Sequence, residues 1–78
     1  ELSKDGNTLY AVTKDDSALY VCNVATRQVV QRLQLPHEAY TCLLNPTTNE
    51  LYISLWGGAS VLVYDPNQQK ITARIATG

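Results

Sequence analysis

Several residue types and patterns that carry chemistry are scarce in this chain. Of its 78 residues none is methionine or phenylalanine, and histidine and tryptophan occur once each. The missing methionine points to an excerpt or a processed product of a longer protein. No apolar run approaches the roughly 20 residues of a membrane-spanning helix, and Glu1 does not open the charged-then-apolar pattern of a secretory signal. Net charge is -1 with both signs interspersed, so there is neither a basic stripe for nucleic acid nor an acidic tail. The two cysteines, Cys22 and Cys42, lack CxxC or any other metal-ligand spacing. Buried free thiols on strands are the preferred reading, because free cysteine packs as a small hydrophobe; a disulfide or a shared metal is the alternative. A chain of this size buries only about 60% of its unfolded surface, which excludes a large private core.

What is present reads as strand throughout. "TLYAVT" (8–13), "ALYVCNV" (18–24), "QVVQRLQL" (28–35), "AYTCLL" (39–44), "ELYISLW" (50–56), "SVLVYD" (60–65) and "KITARIA" (70–76) are short and rich in Val, Ile, Thr and Tyr. Between them stand "SKDGN", "KDDS", "NVATRQ", "NPTTNE", "WGGA" and "DPNQQ", whose Gly, Asn, Asp and Pro supply turn conformations. No stretch sustains helical periodicity. "QVVQRLQL" and "KITARIA" mix polar with apolar residues, as outer, partly solvated strands do, whereas "ALYVCNV" and "SVLVYD" are nearly continuous apolar runs that imply burial on both faces.

These strands repeat. Shifted by 42 positions (44 − 2), residues 2–36 lie on residues 44–78 without a gap, and Leu2/Leu44, Asn7/Asn49, Leu9/Leu51, Tyr10/Tyr52, Val21/Val63 and Arg32/Arg74 are identical. A period of about 40 residues indicates a propeller or a solenoid, and a sheet covered on both faces with one polar edge fits a propeller blade. Two full periods need 84 residues, six more than the 78 present. The missing six correspond to 37–42, so the first repeat keeps only "ELS" of its innermost strand. The expected fold is therefore all-β: two four-stranded antiparallel meander blades of a β-propeller, the first lacking most of its inner strand. Blade boundaries fall at 1–36 and 37–78, both within one larger propeller domain. Leu9, Val12, Leu19, Val21, Leu51, Ile53, Val61 and Val63 are expected to be buried between sheets.

The segment "LSKDGNTLYAVTKDDSALYVCNVATRQVVQRL" resembles the repeat of the YVTN family of bacterial propellers, in which a "KDG" or "PDG" turn leads to a "TLYVTN"-like strand and then a "VSVID"-like strand. The second repeat departs from that pattern with "NPTTNE" and "DPNQQK", and its "LYISLWGG" is similar to YncE-type propellers, some of which are joined to an alkaline-phosphatase-like domain. The resemblance implies a periplasmic or secreted protein. Family members share blades and differ in activity, so it implies no particular reaction.

Candidate site residues are few. Meander blades bring the loops "KDDS", "PHEAY" and "WGGA" to one face, and a ligand-facing rim is expected there from Lys14, Asp15, Asp16, His37, Glu38, Tyr40, Trp56, Gly57 and Gly58. Trp56 offers a broad amphipathic surface, and the glycines beside it permit close backbone approach. His37 is isolated, and catalysis normally needs several convergent groups; Asp15 and Asp16 lack the alternating oxygen ligands of a calcium loop. Arg32 and Arg74 read as solvated edge charges that discourage edge pairing. No catalytic residue, metal or cofactor is expected. The favoured function is a non-catalytic scaffold or binding platform for a ligand or protein. The alternatives are a fragment of a propeller enzyme (lactonase-like, redox, or phosphatase-fused) and a self-assembling two-blade unit. Partners are further blades in the same chain or identical copies, the former ranked first, with no nucleic acid and no membrane span.

Overall fold

The computed structural model describes residues 1–56 and 59–77. All seven expected strands form: β1 (Thr8–Thr13), β2 (Ala18–Asn23), β3 (Gln28–Gln34), β4 (Ala39–Asn45), β5 (Glu50–Leu55), β6 (Ser60–Asp65) and β7 (Lys70–Ala76). They build two sheets, β1-β2-β3 and β4-β5-β6-β7, each an antiparallel meander with neighbours in chain order. The fold is all-β, a stacked pair of propeller-type blades of three and four strands. Along the free edge of β1, Ser3 N donates to Thr8 O and Tyr10 N to Glu1 O, with a Leu2–Leu9 bridge, where a fourth strand would pair. No helix among the described residues is long and apolar enough to cross a membrane.

The turns explain why the hairpins close. Asn23, Asn45 and Asp65 each end a strand and accept a backbone N–H with the side chain, from Thr26, Thr47 and Asn67 respectively. Such local bonds give the backbone an alternative to continuing the ladder. The last turn residue then adopts a left-handed backbone: Arg27 (φ 58), Asn49 (φ 60) and Gln69 (φ 58), each with its N–H bonded four residues back. Ser17 (φ 51) and Ala59 (φ 46) are also left-handed, in the other pair of hairpins. Arg27/Gln69 and Ser17/Ala59 are 42 residues apart, so the repeat extends to backbone torsions.

One apolar core lies between the sheets. Tyr10, Leu19, Val21 and Leu35 from the first side meet Ala39, Leu44, Leu51, Ile53, Leu55, Leu62 and Tyr64 from the second. The rings of Tyr10 and Tyr64 meet edge to face at 6.2 Å, an arrangement worth about 0.5–1.5 kcal/mol beyond area burial. The Tyr64 hydroxyl donates to Gln31 Oε1, while Gln31 Nε2 donates to Gln69 O at 2.9 Å, tying β3 to the β6–β7 turn. Cys42 Sγ lies 3.8 Å from Tyr10 O across the sheets. Cys22 and Cys42 are both free, as expected, but half-buried rather than buried.

The expected core needs one correction. Leu19, Val21, Leu51 and Ile53 are buried in it and Val12 packs against it, but Leu9 and Val61 are not members, and Val63, though buried as expected, lies outside it. Leu9 pairs with Cys22 on the far side of the first sheet and is 38% exposed. Val61 and Val63 alternate with the core residues Leu62 and Tyr64, which puts them on the far side of the second sheet. The reason is the stacking sense. Equivalent residues face the same way along the stack, so the inner face of one sheet corresponds to the outer face of the other.

Candidate functional site

Lys14, Tyr40 and Trp56 come from three separate segments and converge at one end of the seam between the sheets. Each is placed by a local device. Lys14 opens the β1–β2 turn, which is held by the Thr13 hydroxyl bonded to the Asp16 carboxylate and by the left-handed Ser17. Tyr40 sits in a β-bulge: Ala39 pairs with Leu55 and Thr41 with Ser54, leaving Tyr40 as the extra residue of β4. Bulges re-aim side chains; here Ala39 is buried and Tyr40 is 68% exposed. Trp56 follows β5, and its N–H donates to Glu38 O at 2.7 Å, which extends the β4–β5 ladder one step and fixes the indole beside the bulge.

The rings of Tyr40 and Trp56 stack with centroids 5.4 Å apart and planes inclined by 30°. Lys14 Nζ lies 5.8 Å from the Trp56 ring centroid, within range of a cation–π attraction. Among the described residues Lys14 makes no ion pair. Val12 and Ala39, one from each sheet, complete the lining of a groove of about 330 Å³. A flat ring can lie against such an aromatic surface, and the ammonium supplies a donor and a positive charge at its margin. The same ammonium repels a cationic ligand from the indole.

The other rim candidates divide. Asp15, His37 and Glu38 are exposed at this end of the molecule, and Glu38 contributes its backbone carbonyl rather than its carboxylate. Asp16 is drawn out of the rim. It accepts from the Thr13 and Tyr20 hydroxyls and meets Arg32 Nη2 at 3.4 Å. The Thr13 hydroxyl, then that of Tyr20, and Arg32 hold its carboxyl below the ordinary carboxylate value. Arg32, expected as a solvated edge charge, thereby becomes a strut between β3 and the β1–β2 turn, with its guanidinium 5.8 Å from the Tyr20 ring centroid. Arg74, the equivalent in the second sheet, donates to Ser60 Oγ at 3.2 Å. Gly57 and Gly58 lie outside the described residues. Among the described residues no three His, Cys, Asp or Glu side chains gather as metal ligands would.

Sequence reasoning missed the floor of the groove, Val12 and Ala39. Val12 carried a signal, being in phase with the inward-facing Tyr10 of β1.

The fold and this groove define a class: a propeller-blade pair with an aromatic, singly cationic groove at its seam. Neither protein-family models nor curated protein sequences match the chain. Among solved structures, a chain of Kuenenia stuttgartiensis hydrazine synthase is similar over 99% of this chain with a TM-score of 0.91 and 21% sequence identity. The present chain spans 22% of that chain. At that identity the likeness shows the fold alone.

Proposed function

We propose that this chain is a two-blade segment of a larger β-propeller, with blades at 1–36 and 37–78, that serves as a non-catalytic binding platform. Its ligand-facing element is the Tyr40–Trp56–Lys14 groove. We extend the proposal to the YVTN/YncE group and to a periplasmic or secreted setting, which the quoted repeat residues support by resemblance, and to further blades as partners. The observation that carries the binding role is the pair of stacked rings, both about two-thirds exposed, beside an ammonium without an ion-pair partner among the described residues. Large aromatic side chains ordinarily dominate cores and interfaces, so two of them stacked in the open mark a surface that meets something flat.

Because Trp56 is the single tryptophan, its emission reports on the groove directly. Two probes, benzoate as an anionic ring and glucose as a neutral one, are titrated separately into the 78-residue chain. A saturable change with benzoate that weakens at least several-fold in Lys14→Ala and in Tyr40→Ala supports the platform; the glucose arm tells whether the charge is needed. Emission unmoved by either probe, or moved equally in the variants, refutes it.

A further inference from the structure

The end of the seam away from the aromatic groove holds a polar pocket of about 590 Å³, within the roughly 300–1,000 Å³ of small-molecule sites. Lys4, Asp5, Thr8 and Tyr10 line it from the first side, Asn49 and Pro66 from the β4–β5 and β6–β7 turns. Tyr10 is 3% exposed and its ring is fixed edge to face against Tyr64, yet its hydroxyl meets no hydrogen-bond partner among the described residues. Since no fully buried side-chain polar atom among those residues lacks a partner, the hydroxyl must open on the pocket that Tyr10 lines. The second repeat shows the contrast. Tyr52, the equivalent residue, donates its hydroxyl to Glu50 Oε1 at 3.4 Å. The position equivalent to Glu50 is Thr8, whose shorter side chain makes no such bond.

We infer that this pocket is a second ligand site, taking a neutral polyhydroxyl molecule of the size of a mono- or disaccharide. Its groups define that class. The Thr8 and Tyr10 hydroxyls, two residues apart on one face of β1, and the Asn49 carboxamide are all without hydrogen bonds among the described residues. Each of these groups can both donate and accept, as the hydroxyls of a sugar do, whereas an ionised acid only accepts and an ammonium only donates. Lys4, which makes no ion pair among the described residues, and Asp5 cancel in charge at the rim, so neither sign of ligand is favoured. Asp5 is fixed there by the Ser3 hydroxyl at 2.6 Å and the Asn7 N–H at 2.9 Å. Burial, and then the Asp5 charge, push the Tyr10 hydroxyl above its ordinary value, so it stays protonated and available as a donor. All of the lining comes from the two sides that face each other, so blades added on the outer faces would leave the pocket open.

Amide NMR on the isotope-labelled chain tests this with maltose and myo-inositol as neutral probes and inorganic phosphate as the anionic one. At least one neutral probe should shift the amides of Thr8, Tyr10 and Asn49 saturably in the millimolar range, and phosphate should not displace it. The indole N–H of Trp56 reads the aromatic groove separately, so binding at one end of the seam is told from binding at the other. Tyr10→Phe keeps the ring and removes the open hydroxyl, and Asn49→Gly removes the carboxamide at a left-handed position that glycine accepts; each should weaken the binding several-fold. A further readout needs no ligand. Because the Tyr10 hydroxyl has no partner in the free chain, Tyr10→Phe should leave the melting temperature where it is, unlike Tyr64→Phe, which loses the bond to Gln31. Absence of saturable shifts with both neutral probes, equal shifts in the variants, displacement by phosphate, or a Tyr10→Phe chain that melts as low as Tyr64→Phe overturns the inference.

Discussion

Leu9 and Leu51 are the same residue at the same repeat position, yet one is 38% exposed and the other 0%. Truncating each to alanine therefore separates the contribution of stacking from that of local strand formation. For Leu51, burial is complete and the core around it is contiguous, so loss of the side chain removes its transfer free energy and leaves a cavity. Buried Leu→Ala replacements cost about 2–5 kcal/mol, and the upper half of that range is expected where Tyr64 and Ile53, both essentially inaccessible, cannot collapse inward. For Leu9, part of the side chain already meets water and nothing lies across it, so the cost should be about 1 kcal/mol, scaled from the roughly 1.5–3 kcal/mol of a fully buried leucine. Total stability for 78 residues at ordinary per-residue values is about 4–12 kcal/mol. Leu51→Ala should thus sit near the edge of folding, whereas Leu9→Ala melts only several degrees lower, at about 4–8 °C per kcal/mol for a domain of this size. Urea titration followed by far-UV circular dichroism, at a concentration where the chain is monomeric, gives both values. Equal losses at the two sites would refute the stacking sense on which the fold description depends.

Two further outcomes are expected. Tyr64→Phe should lower stability by about 1 kcal/mol, since it removes the hydroxyl bonded to Gln31 while keeping the ring against Tyr10; in a Gln31→Ala background the same change should cost less, and a purely additive double-mutant cycle would show the bond to be idle. The carboxyls of Asp5, Asp16 and Asp65 are held below the ordinary 3.8, chiefly by the Ser3 hydroxyl, the Thr13 hydroxyl and the Asn67 N–H respectively. A group depressed in the folded state stabilises above its unfolded value and loses that contribution as pH falls through its folded value, so the melting temperature should drop below about pH 4. Asp16→Asn should shallow that drop, and an unchanged acid limb would contradict the Thr13–Asp16–Tyr20–Arg32 cluster.

The strands were legible because each is bracketed by residues that end a ladder. Asn23, Asn45 and Asp65 cap the preceding strand through their own side chains, a local chemistry that leaves its mark in "NVATRQ", "NPTTNE" and "DPNQQ". Which face of each sheet is covered was not legible, since Leu9 and Leu51 are identical and only the neighbour decides their burial. The rim was legible in part. The meander brings Lys14, Tyr40 and Trp56 to one end, but the exposure of Tyr40 depends on a one-residue bulge opposite Leu55 and Ser54 that no turn residue announces. Asp16 was misplaced for a related reason: its partners Tyr20 and Arg32 become neighbours only through the β2–β3 register, which pairs them directly.

The left-handed turn residues carry a consequence for anyone seeking a sturdier version of this chain. Ser17, Arg27, Asn49, Ala59 and Gln69 all hold positive φ without being glycine, and a residue with a Cβ ordinarily resists that region by roughly 1–2 kcal/mol, asparagine least. Four of the five are neither glycine nor asparagine, and they stand in two equivalent pairs. Replacing Arg27 and Gln69 by glycine would relieve both members of one pair while touching neither the core nor the aromatic groove. Margin recovered in the hairpins could then be spent at the seam, where enlarging or recharging the groove would otherwise risk unfolding so small a protein.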